Sequence, residues 1–183
     1  ILAQLGARPG QTILEIGCGW GGFAEVAATE FGCRVLCLTL SPSQLAFARE
    51  RAERGGFADR VDFALCDYRD VRGKYDHVVS IEMIEAVGER FWPTYFGQLA
   101  ALLKPGGRCV VQAITIADEL FARYRRGTDF IQRHVFPGGM LPSPAAVRRQ
   151  AGRVGLKMFD DFAFGADYAR TLAHWQRRFE ARL

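Results

Sequence analysis

Apolar runs of strand length alternate with helix-like stretches along the first two thirds of the chain. Runs near 12–16, 34–39, 60–65, 76–81 and 108–114 are apolar, often β-branched, and bounded by Gly, Pro or polar residues, which predicts five strands. Helices are expected over about 21–30, 42–55, 89–103, 144–153 and 168–182. Lys104-Pro105-Gly106-Gly107 ends the third of these and turns the chain into the fifth strand. A sixth strand is expected over Lys157–Phe162. This alternation describes an α/β fold, a mostly parallel sheet with helices on both faces. It breaks between Ile116 and Ser143, a stretch rich in aromatic and basic residues that turns at Pro137-Gly138-Gly139 and Pro142. That stretch reads as an insertion over the carboxyl edge of the sheet, where open α/β sheets bind ligands.

Residues 13–22, Ile-Leu-Glu-Ile-Gly-Cys-Gly-Trp-Gly-Gly, carry a buried-strand pattern into clustered glycines where a helix begins. Gly17, Gly19 and Gly22 stand in G-x-G-x-x-G spacing, which lets the backbone turn sharply and approach a ligand with no Cβ in the way. Two ligand classes fit: a dinucleotide with its pyrophosphate on the helix N-terminus, and S-adenosylmethionine (SAM). A dinucleotide fold places an acid at the end of the second strand, roughly 20 residues on, against the ribose hydroxyls. Here that strand ends in Thr39 and runs through Leu40-Ser41-Pro42 into a helix carrying Gln44. A hydroxyl and an amide still offer a ribose its bonds, so a dinucleotide is disfavoured and not excluded. Glu15 precedes the glycines, where a methyltransferase keeps an acid near the amino-acid end of SAM.

A chain of 183 residues, 49% of them apolar, is long enough for one domain with a real core. The net charge of +4 is carried almost wholly by Arg, with Lys only at 74, 104 and 157, and favours acidic partners such as phosphate head groups or nucleic acid. Cys18, Cys33, Cys37, Cys66 and Cys109 are odd in number and lie in or beside apolar runs, which reads as buried reduced thiols of a cytoplasmic protein. His77, His134 and His174 form no pair at ligand spacing, so no metal site is expected. No apolar run approaches the roughly 18 residues of a membrane span. Opening on Ile1, the chain reads as a fragment of a longer protein.

Two further segments bring polar chemistry to the carboxyl edge. Cys66-Asp67-Tyr68 follows the third strand with a carboxylate and a ring suited to bonding and stacking an adenine. Ser80-Ile81-Glu82-Met83-Ile84-Glu85-Ala86-Val87-Gly88 follows the fourth, with two carboxylates three residues apart in an apolar loop above the presumed cofactor.

Five segments together resemble the cyclopropane-fatty-acyl-phospholipid synthase family, which includes the mycolic acid cyclopropane synthases. They are Glu15 to Gly22, Leu38-Thr39-Leu40-Ser41 with Gln44, Ser80 to Glu85, Phe136-Pro137-Gly138-Gly139-Met140-Leu141-Pro142-Ser143, and Phe164-Gly165-Ala166-Asp167-Tyr168-Ala169-Arg170-Thr171-Leu172. The resemblance runs from about residue 11 to 180 and implies a Rossmann-like class I SAM-dependent methyltransferase fold, here without an N-terminal cap and a closing strand. It implies one domain, with a cofactor-binding core over 1–116, a substrate-covering insertion over 117–143 and the rest of the core over 144–183.

The implied reaction is methyl transfer from SAM to the cis double bond of an unsaturated phospholipid acyl chain, closing a cyclopropane ring. A methyl-branched lipid or an N-methylated small molecule is the alternative. Methylating an alkene creates a carbocation, which needs an apolar, aromatic, dry wall and then a base to remove a proton. The resemblance makes that base a bound bicarbonate, held by Glu85 and Tyr168 with the backbone of Ile114. Gln112 stands where many members have His, which keeps a donor and loses an ionisable group. Cofactor contacts are expected from Glu15, Gly17, Cys18, Gly19, Trp20 and Gly21, from Thr39, Leu40 and Gln44, and from Asp67, Tyr68 and Ser80. Arg123, Arg125, Arg126 and Arg133 suit lipid phosphates at the inner face of a membrane. Nucleic acid is not an expected partner, and a homodimer is compatible with the resemblance.

Overall fold

The computed structural model describes residues 1–183. After a short helix α1 (Leu2–Leu5), five strands form one sheet: β1 (Thr12–Ile16), β2 (Arg34–Thr39), β3 (Val61–Leu65), β4 (Tyr75–Ile81) and β5 (Leu103–Gln112). Their order is β3-β2-β1-β4-β5, and every neighbouring pair is parallel. The chain leaves β1 toward β2 and β3, then crosses to β1's other side for β4. That reversal opens a crevice at the carboxyl ends of the strands, the usual ligand position in such sheets.

Because both faces are covered, the central strands read as nearly continuous apolar runs. Ile13, Val35 and Cys37 face α2 (Gly22–Thr29) and α3 (Pro42–Gly55), whose Ala24, Ala27, Ala48 and Ala52 let the helix backbones come close to the sheet. Leu14, Ile16, Leu38 and Val78 face the other way, against Trp92, Tyr95, Phe96 and Leu99 of α5 (Trp92–Leu102). Ser41 caps α3 by accepting the Gln44 N–H at 3.3 Å, and Pro42 supplies its first turn. The single turn α4 (Ile84–Val87) and a 3₁₀ turn at Glu89–Phe91 precede α5, so the helix expected from 89 begins at Trp92.

Two short helices, α6 (Asp118–Tyr124) and α7 (Phe130–His134), lie between β5 and α8 (Pro144–Arg153). The ends of this excursion are tied by the Ile116 N–H donating to the Pro142 carbonyl at 3.0 Å, and the Met140 N–H donates to the Glu85 carbonyl at 2.8 Å. The excursion is therefore pinned to the loop after β4, at the carboxyl edge. The chain ends in α9 (Gly165–Glu180), which begins three residues earlier than expected and leaves Leu172, Trp175 and Phe179 exposed along one side.

The expected strand over Lys157–Phe162 does not form. The order Lys-Met-Phe-Asp-Asp-Phe lacks the period-2 alternation of a half-buried strand, and the segment has no backbone partner, since β5 pairs only with β4. The segment is held instead by side chains, with an Arg148–Asp161 ion pair and the Arg108 guanidinium over the Phe159 ring.

Candidate active site

β1 delivers the chain into the glycine loop, where the N–H groups of Gly17 and Cys18 both donate to the Leu38 carbonyl, at 3.0 and 2.8 Å. Gly17 and Gly19 have φ of 80° and 51°, a region that residues with a Cβ avoid. Their surroundings differ. A Cβ on Gly19 would meet nothing within 4 Å, which leaves an open cradle, whereas one on Gly17 would stand 3.1 Å from Met83 Cγ. The close approach expected of a ligand at Gly17 is thus made by the protein's own Met83.

Gly21 precedes α2 as its N-cap, and Cys18 is buried. Trp20 is half exposed with its ring edge-on to Phe47 at 5.3 Å, and Leu40 is exposed at the end of β2. Glu15 lies deeper, 2% exposed and opposite Cys37, whose thiol donates to Oε2 at 3.6 Å. Burial pushes its carboxyl well above the ordinary range, the nearby Cys18 adds to the rise, and the Cys37 thiol pulls against it.

The polar pair after β2 is self-contained. Thr39 is buried; its hydroxyl donates to Gln44 Oε1 at 2.9 Å and accepts the Ser41 N–H at 3.1 Å. Thr39 therefore orients Gln44 rather than offering a free hydroxyl, and the amide donors of Gln44 remain for a ligand. Asp67 is clamped by Arg69, which donates to its two oxygens at 2.9 and 2.6 Å and holds its carboxyl below the usual range. The Tyr68 ring packs edge-on against Tyr95 at 5.8 Å, so it serves the α5 core more than a stacking platform. Ser80 is fully buried on the same side, beside the Tyr95 hydroxyl, with no well-formed hydrogen bond to either oxygen. Period-2 alternation puts the Ser80 side chain on the face of Val78, toward the α5 core.

At the ends of β4 and β5 three segments converge: the loop after β4, the end of β5 and the first turn of α9. The Ile114 N–H donates to Glu85 Oε1 at 2.5 Å, and Glu85 Oε2 is buried without a partner. Burial raises the Glu85 carboxyl; its own and Ile114's backbone N–H groups oppose that, and the charge of Glu82 adds to it. The Gln112 amide donates to Glu82 Oε1 at 2.9 Å, and the Tyr168 phenol donates to Glu82 Oε2 at 3.0 Å. Burial first, then the bond to Glu82, keeps the Tyr168 phenol protonated above its ordinary range. Glu85, Gln112, Ile114 and Tyr168 thus come together, but the residue that Gln112 and Tyr168 grip is Glu82.

Glu82 was visible only as one of two neighbouring acids, and no role fell to it by sequence. Its signal is conformational: it is the single non-glycine residue with positive φ, at 49°. This turn, fixed by the Glu82 N–H donating to the Gln112 carbonyl at 2.9 Å, brings its carboxylate over the end of β5.

No helix is long and apolar enough to cross a membrane. The family described as mycolic acid cyclopropane synthetase matches residues 1–183. The chain is 44% identical over 183 residues to the tuberculostearic acid methyltransferase UfaA1 of Mycobacterium tuberculosis, covering 100% of this chain and 43% of that protein. It is 36% identical over 186 residues to the cyclopropane-fatty-acyl-phospholipid synthase of Escherichia coli, covering 99% of this chain and 45% of that one. The chain thus spans less than half the length of these relatives. Its fold matches that of mycolic acid cyclopropane synthase CmaA1 complexed with SAH and CTAB, with a TM-score of 0.89 and 28% identity over 99% of this chain and 67% of that one.

Proposed function

Since the chain belongs to the mycolic acid cyclopropane synthetase family, we propose that it is the catalytic core of an enzyme that transfers the methyl group of SAM to a double bond in a lipid acyl chain. One observation carries this reading: two carboxylates, a phenol and an amide converge beside the glycine loop, to which Met83 links them. The crevice suits the cofactor. Its glycine cradle is open at Gly19, Trp20 and Leu40 present apolar surface, and Gln44 keeps amide donors for a ribose. When bound there, SAM supplies an electrophilic methyl group. Residues 1–116 would form the cofactor-binding core, and 117–143 would cover the substrate.

Adding a methyl to an alkene leaves a cation on the acyl chain, so the protein's task is to exclude water and accept a proton. Bicarbonate does not fit as that acceptor while the Tyr168 and Gln112 donors are taken by Glu82, because a further anion would face two carboxylates. The protein's own acids are the available acceptors. A lipid substrate at a membrane surface is supported by the exposed Phe130, Ile131, Val135 and Phe136 beside Arg126 and Arg133, each cation adding about 1 kcal/mol near an anionic bilayer.

Ring closure and formation of a methyl-bearing alkene differ only in where the proton leaves, and a saturated methyl branch would need a separate reductant to supply hydride to that alkene. The non-ionisable Gln112 and the higher identity to a protein named tuberculostearic acid methyltransferase favour keeping the second outcome beside the first. The test is to incubate the full-length protein with SAM and vesicles of oleoyl phospholipid, then analyse the acyl chains by mass spectrometry and proton NMR. A SAM-dependent gain of one methylene is expected, and high-field ring protons separate a cyclopropane from an alkene of equal mass. No gain with any unsaturated lipid, free or in phospholipid, overturns the reading.

A further inference from the structure

Glu82 is built into this site as an acceptor. Each of its oxygens receives one neutral donor, from Gln112 on β5 and Tyr168 on α9, and it takes part in no salt bridge. A carboxylate oxygen carries two lone pairs, so each keeps one free. A backbone conformation that disfavours any residue with a Cβ is nonetheless adopted here by a glutamate, which puts its carboxylate between those two donors. Glu82 is exposed, giving a proton a way out to solvent, while Glu85 sits deeper with one oxygen unpartnered.

We propose that Glu82 is the resident base of this site and takes the place of a bound small anion, so that proton removal needs no free bicarbonate. This rests on the methyl-transfer reading above. In the step, a C–H bond breaks either on the added methyl or on a chain carbon next to the carbocation. Its electron pair forms the closing C–C bond of a ring or a new C=C bond. The proton passes to a free lone pair of the Glu82 carboxylate and from there to water, leaving the acyl chain neutral.

Two measurements on the full-length protein test this. The first needs no turnover: line broadening of ¹³C-labelled bicarbonate is compared for the wild type, Glu82→Gly and Glu82→Gln. Glycine suits the backbone at this position and frees both donors, so Glu82→Gly is expected to broaden the signal, while the wild type and the isosteric Glu82→Gln are not. The second is turnover in carbon-dioxide-stripped buffer. The wild type should be unaffected by added bicarbonate, whereas Glu82→Gly should lose about a hundredfold and recover at least tenfold with bicarbonate or formate. SAM binding should be equal in all three. Equal broadening by the wild type and Glu82→Gly, or a wild type that needs bicarbonate, overturns the proposal while leaving methyl transfer standing. A wild type that methylates no lipid with or without bicarbonate overturns the methyl-transfer reading, and the binding comparison still decides whether Glu82 fills the anion's seat.

Discussion

Gly17 and Met83 meet across the crevice, with the position of a Gly17 β-carbon only 3.1 Å from Met83 Cγ. This contact couples the cofactor loop to the loop that bears both acids. Gly17→Ala is expected to lower stability by about 1–2 kcal/mol through its left-handed backbone, with a further loss from the crowded methionine. Met83→Ala should restore only the second part. Thermal melts and SAM titrations of the two single variants and the double variant measure the coupling. Strict additivity would show that the two loops do not sense each other.

Thr39 acts through Gln44. Thr39→Val keeps the shape and removes the hydroxyl that orients the amide, so SAM affinity should fall by about 0.5–1.5 kcal/mol, the net worth of one neutral hydrogen bond. Gln44→Ala should cost at least as much, and adding Thr39→Val to it should cost little more. If Thr39→Val binds SAM normally while Gln44→Ala does not, the positioning role is wrong.

Tyr168→Phe removes one of two donors on Glu82 and touches nothing in the cofactor cradle. A hydrogen bond to a charged group is worth about 1.5–3 kcal/mol, so turnover should fall by roughly ten- to a hundredfold. SAM affinity should stay nearly constant. A variant that loses SAM binding in the same proportion would move Tyr168 from proton handling to cofactor binding.

The pH dependence of stability resides at the opposite end of the sheet. Asp76 accepts the backbone N–H and the hydroxyl of Thr12, both at 2.8 Å, and the Lys104 ammonium at 2.9 Å. The Thr12 backbone N–H is the largest reason its carboxyl is held down at about 2, and Lys104 and the Thr12 hydroxyl add to it. A depressed carboxyl stabilises the fold above its unfolded value of about 3.9. The contribution fades as pH falls through about 2. Asp76→Asn should therefore cost about 1–2 kcal/mol at neutral pH, discounted because Lys104 is partly exposed, and should flatten the acid limb of the stability curve. Chemical denaturation at a series of pH values checks both. A wild type and variant that lose stability in parallel between pH 4 and 2 would place the acid sensitivity elsewhere.

Much of the architecture was legible because it rests on local patterns. Ile13, Leu14 and Ile16 of β1 and Val35 to Leu38 of β2 place apolar residues on both faces, as a covered parallel strand requires. The acids at 82 and 85 stood out for the same reason, as charges in an apolar loop. The role of Glu82 was hidden because it depends on one left-handed residue and on a tyrosine from the last helix, and residue types specify neither. Ser80 came into the cofactor set with the resemblance, and its alternation with Val78 turns its side chain toward α5. Lys157–Phe162 shows that a short run containing apolar residues does not make a strand without a neighbour to pair with.

Every glutamate codon becomes a glycine codon by one base change. At residue 82, where φ is 49°, that single mutation would remove an acid and also relax the backbone by about 1 kcal/mol. Mutational drift that selects only for foldedness is therefore biased toward losing the carboxylate. Its persistence in a lineage would mark selection on the reaction itself, and its replacement by glycine would be the shortest evolutionary route from a built-in base to a borrowed one.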